Sequence, residues 1–117
     1  MKIPPVYKDY LDAIVRYYKQ EKTTPDFSNR LLNPTSANLR DECLTVFLEG
    51  PAARDMKALK TFFEAQREDE IHRKIESIDI DKFKPLGKYL RGSLRTTADK
   101  NIELLGWLIN FPSDHHR

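Results

Sequence analysis

The chain of 117 residues has a single cysteine, Cys43, so no disulfide can close within it. A lone thiol fits a reducing compartment best. Glycine is also sparse, with four residues at positions 50, 87, 92 and 106. None of these forms a G-x-x-x-x-G-K-[ST] or G-x-G-x-x-G phosphate cradle. No serine occupies a G-x-S-x-G elbow. No stretch approaches the roughly 20 apolar residues that cross a bilayer. The opening MKIPPVYKDY turns polar without the apolar run of a secretory signal. The expectation is a cytoplasmic protein with no membrane span. Strand-like alternation is missing too: only LTVFL, residues 44–48, has β character, and it lies inside a helical pattern. No repeat of roughly 20 to 50 residues is visible.

What is present is helical periodicity under a heavily charged surface. Hydrophobic residues make up 39% and charged residues 32%, which suits a small domain with a thin core. Residues 5–20 place apolar side chains at 6, 7, 10, 11, 14, 15 and 18, the spacing of a helix with a broad buried face. Residues 21–33, EKTTPDFSNRLLN, lose that pattern and form a long connector pinned by Phe27, Leu31 and Leu32. Asn33-Pro34 predicts the start of a second helix, an Asn cap with Pro at the first position. Leu39, Cys43, Val46 and Phe47 point inward in it, with Leu44 and Leu48 beside them, and Gly50 and Pro51 end it.

A third helix over 52–65 carries Met56, Leu59, Phe62 and Phe63, and a fourth over 68–77 carries Ile71 and Ile75. Asp79 or Asp81 caps a fifth with Phe83, Leu86, Tyr89 and Leu90 inward, ended by Gly92. Thr96 or Thr97 caps a sixth, ADKNIELLGWLIN, whose apolar character nearly all round marks a central helix. The fold class expected is all-α: one compact bundle of five to six short helices over 1–111, with no sheet. Residues 112–117 form a flexible tail or linker.

The chemistry of sites is sparse. In FFEAQREDEIHRKIESI, residues 62–78, a helix-turn-helix would present Glu68, Asp69 and Glu70 to phosphates, which is repulsive, and the joint has no glycine. Glu68, His72 and Glu76 share one helix side, but the matched set that a di-metal bundle needs on a facing helix is missing. Cys43 beside Glu42 on a buried face reads as inert. No catalytic, cofactor or metal residue is therefore expected, and the chain reads as non-enzymatic.

Charge distribution is more informative. Residues 66–81 carry three basic and six acidic side chains, a net of −3; residues 82–100 carry six basic and one acidic, a net of +5. Glu68, Asp69, Glu70 and Glu76 are the candidate acidic contacts. Lys84, Lys88, Arg91 and Arg95 are the candidate basic ones, at helical spacing that would continue past Gly92. Such faces suit a protein-interaction or adaptor domain, binding a protein partner or itself as a homo-oligomer. The alternative is a nucleic-acid-binding regulator using the basic stripe 82–100. Tyr7, Tyr10, Tyr17 and Tyr18 on the first helix either line a core edge or add an interface. By helix count alone the bundle is similar to the death-fold adaptor class, an analogy of architecture.

Overall fold

Seven helices form among the described residues, not five to six, and no strand accompanies them. The computed structural model describes the backbone of residues 3–112 and the side chains of residues 7–112. Of the tail expected over 112–117, all but Pro112 lies outside the described residues.

Helix α1 (Ile3–Glu21) buries Leu11, Ile14 and Tyr18, three or four residues apart on one face. The additional helix is α2 (Asn29–Leu32), a single turn inside the expected connector. It exists because Leu31 is buried to 2% exposure and the Ser28 carbonyl accepts the amides of Leu31 and Leu32. The Tyr18 hydroxyl donates to the Leu31 carbonyl at 2.7 Å and ties α2 to α1. One turn is too short to show periodicity.

Helix α3 (Ser36–Leu48) starts later than Asn33-Pro34 suggested. Thr35 is its cap, accepting the Asn38 amide at 3.1 Å. Asn33 is engaged elsewhere: its amide closes α2 on Asn29, and its carbonyl accepts the Asn38 side chain. The inward face of α3 is Leu39, Glu42 and Cys43. Val46 and Phe47 are only half-buried, and Leu48, expected beside the core, is 73% exposed.

Three helices are each led in by a 3-10 turn. Ala53–Asp55 precedes α4 (Met56–Phe63), Glu68–Glu70 precedes α5 (Ile71–Ser77), and Ile80–Phe83 precedes α6 (Lys84–Leu90). Carboxylates hold these turns. Asp55 accepts the Ala52 amide, Glu70 those of Gln66 and Arg67, and Asp79 that of Asp81. Phe62, Phe63 and Phe83 pack ring against ring where α4 meets the 3-10 turn that leads into α6. Gly92, at φ +87°, ends α6 in a backbone region that suits glycine.

Helix α7 (Asp99–Leu108) packs against α1, α3, α4 and α6, as its apolar circumference requires. Neither threonine caps it. Ala98 is the cap residue, and Thr97 instead accepts the Asn101 side-chain amide at 2.7 Å. Helices α1 and α7 run side by side in the same direction. Tyr7 donates to Glu103 near their starts, and Ile14 lies against Gly106 further along. An added Cβ on Gly106 would sit 2.9 Å from Ile14 Cδ1, so the missing side chain sets how closely the helices approach. The buried side chains form one cluster running from Leu11 to Phe111. The radius of gyration, 13.7 Å, is close to the roughly 13 Å of a compact domain this size. No helix among the described residues is long and apolar enough to cross a membrane.

Candidate interaction surface

The acidic residues come to the surface through the turn that leads into α5. Asp69 accepts from Arg67 Nε at 3.0 Å. Glu70 Oε1 accepts the Gln66 amide at 2.9 Å and the Arg67 amide at 3.4 Å. These two amide bonds, with the charges of Arg67 and Lys74 nearby, hold the Glu70 carboxyl below the usual range. Two of the four candidate acidic residues thus shape their own turn. Glu68 and Glu76 are exposed. Glu76 lies 3.6 Å from His72 Nε2, and the His72 ring stacks on Phe47 with centroids 5.7 Å apart. His72 therefore docks α5 on α3, a role its surroundings in the sequence do not reveal.

The basic residues divide into two groups rather than forming one stripe. Lys84 and Lys88 project from α6 and are exposed. Arg91 leaves the stripe because Nη1 donates to the Pro34 carbonyl at 2.7 Å, clamping the end of α6 to the start of α3. Gly92 then turns the backbone, and residues 93–98 are non-helical. The helical spacing that linked Arg95 to Lys84 and Lys88 is broken there. Arg95 instead borders a cleft of about 400 Å³ against the first half of α1, together with Lys8, Asp12, Tyr89 and Asp99. Two carboxylates in that cleft offset its two cations.

Most of the first-helix tyrosines line the core edge. Tyr18 is buried, Tyr10 and Tyr17 meet Phe111 edge-on, and Tyr7 is the most exposed, at 38%. Burial pushes the Tyr7, Tyr10 and Tyr18 hydroxyls above their ordinary range, with the Glu103 carboxylate adding to the effect at Tyr7 and Tyr10. Cys43 has no exposed surface, and burial with neighbouring Glu42 pushes its thiol well up. Among the described residues no group of three or more His, Cys, Asp or Glu is placed to hold a metal ion.

No family model, curated protein or solved structure matches this chain.

A buried carboxylate was missed by pattern reading. Glu42 is only 8% exposed, accepts from Ser28 Oγ at 3.0 Å and lies 3.5 Å from Arg30 Nη1. A signal was present, since Glu42 falls three residues after Leu39 on the same helix face.

Proposed function

We propose that the chain is a non-enzymatic helical interaction domain that associates through surfaces of opposite charge, with a second copy of itself as the first partner to test. The observation that supports it most is the segregation of exposed charge. Glu68 and Glu76 lie on and just before α5, while Lys84, Lys88 and Arg95 lie on α6 and the following loop, and all five are exposed. Oppositely charged patches on one molecule favour head-to-tail contact, and complementary potentials speed and orient encounter. Cytoplasmic residence and an adaptor role belong to the same proposal. Size-exclusion chromatography with light scattering, at low and high salt across protein concentration, tests it. The expected result is a mass above the monomer at low salt that falls with added salt; a monomer under every condition would sink it.

Nucleic-acid binding is favoured less. Arg91 is committed to Pro34, and Asp12 and Asp99 share the cleft with Arg95. Only Lys84 and Lys88 remain as an adjacent exposed pair among the four candidate cations. Electrophoretic mobility with duplex and single-stranded probes near roughly 50 mM salt, where phosphate contacts are strongest, separates the two. A shift lost in Lys84→Glu/Lys88→Glu would reverse the preference.

A further inference from the structure

Two hollows of about 200 and 350 Å³ lie side by side at the far end of α1 and α7 and share Glu42, Leu108 and Asn110. Together they make one trough. Glu21, Asp26, Glu42, Glu49 and Asp55 line it, and no lysine or arginine lines either hollow. Two arginines border this set, and Arg54 Nη2 also donates at 3.3 Å to Asn110 Oδ1, on the lining of both hollows. Arg30 lies 3.5 Å from Glu42, and Arg54 lies 3.7 Å from Asp55, so five carboxylates less two cations leave about three uncompensated charges. Glu49 is exposed and Asp26 is exposed. Apolar side chains reach the floor: Leu108, 5% exposed, is common to both hollows, with half-buried Phe27 on one side and buried Trp107 on the other.

The opposite pole of the molecule carries the complement. The loop 91–96 is exposed at every residue, and its tip presents Leu94, 41% exposed, next to Arg95. Arg95 borders the starts of α1 and α7 in the cleft it shares with Lys8, Asp12 and Asp99; it is exposed and within ion-pair distance of neither carboxylate, which leaves its guanidinium open to a second chain. The trough borders their ends, at Glu21 and Asn110. An apolar side chain followed by a guanidinium therefore projects from one end, and an apolar floor with a carboxylate rim opens at the other.

We infer that the trough receives the Leu94-Arg95 loop of a second copy of this chain. Leu94 covers the floor near Leu108, and Arg95 meets the rim carboxylates, where a guanidinium can bond a carboxylate with two parallel donors. Such a contact joins different surfaces of the two copies, so it propagates unless the rotation between them closes a ring. The inference rests on the proposed self-association and moves its acidic partner from residues 68–76 to the trough.

The test compares two charge reversals of equal size. Glu21→Lys/Glu49→Lys and Glu68→Lys/Glu76→Lys each change the net charge from +2 to +6, since each substitution adds two. Glu21 and Glu49 stand at helix C-terminal ends, where lysine suits the helix dipole. Association is measured by sedimentation at low salt after circular dichroism has verified folding. The trough reversal is expected to weaken association by about tenfold or more, and the 68/76 reversal by less than about threefold. Leu94→Ser/Arg95→Glu, on an exposed loop away from the core, gives an independent check and should match the trough reversal. Stronger loss with the 68/76 reversal, or equal loss with both, would overturn the trough while leaving self-association in place. A wild-type protein that is monomeric at low salt would overturn both.

Discussion

Replacing Gly87 with alanine sets two physical effects against each other, and the structure decides the sign. Gly87 lies inside α6, where alanine is favoured over glycine by about 1 kcal/mol. Propensity alone therefore predicts a more stable protein. An added Cβ, however, would sit 2.6 Å from the Pro34 carbonyl oxygen, 3.0 Å from Arg91 Nη1 and 3.7 Å from Leu39 Cδ1. The first of these neighbours is backbone and cannot rotate away. Relieving the overlap moves α6 off the start of α3, at about 2 kcal/mol for overpacking. It also stretches the 2.7 Å bond from Arg91 to Pro34. A charged donor would ordinarily give that bond more, but Arg91 is exposed, so about 1 kcal/mol is assigned to it. The balance is a net loss of about 2 kcal/mol. With an unfolding entropy of roughly 2.1 cal/mol/K per residue, 1 kcal/mol moves Tm by about 4 °C in a chain of this length, so Tm should fall by about 8 °C. Thermal melts followed by circular dichroism measure this. Gly92→Ala gives the contrast, because nothing lies within 4 Å of its added Cβ and only the φ of +87° opposes it. A Tm for Gly87→Ala equal to or above that of the wild type would refute the close approach of α6 to Pro34.

Two further outcomes follow from the local contacts. Glu70 is held below the usual carboxylate range by the Gln66 and Arg67 amides. Its contribution is present above the unfolded-state pKa and is lost as pH falls through the folded value; Glu70→Gln should therefore flatten the acid limb of a stability-versus-pH curve, and an acid limb identical to wild type would count against the turn geometry. Tyr18→Phe removes the 2.7 Å donor to the Leu31 carbonyl in a buried setting. The expected loss is about 1–2 kcal/mol in urea unfolding, with faster amide exchange across Asn29–Leu32; unchanged exchange there would mean that Tyr18 does not secure α2.

Long apolar patterns carried most of the fold. Helix α7 was legible as the central helix because apolar side chains nearly surround it, and α1 because Leu11, Ile14 and Tyr18 repeat at helical spacing. Short elements were not. Helix α2 has four residues, and three other helices open with 3-10 turns of three or four. Caps failed where two residues competed. Asn33 looked like the better cap, but its amide was already needed to close α2, leaving Thr35 to serve α3. The basic stripe failed for a long-range reason, since Arg91 bonds Pro34, 57 positions away. The trough gathers carboxylates from α1, the connector after it, α3 with its C-terminal cap, and the 3-10 turn before α4, and no local window contains them. Its one readable sign was Glu42, a charge set within an apolar helix face.

The claim that opposite poles of this chain meet is tested most directly by mixing two variants, each lacking one pole. Glu21→Lys/Glu49→Lys retains the Leu94-Arg95 loop, and Leu94→Ser/Arg95→Ser, which leaves no charge on its loop to meet the reversed trough, retains the trough. Each alone should sediment as a monomer at low salt, and an equimolar mixture should form a complex of two chains that stops there, one competent loop in one competent trough. A mixture that stays monomeric while the wild type associates, or variants that each assemble as the wild type does, would contradict it.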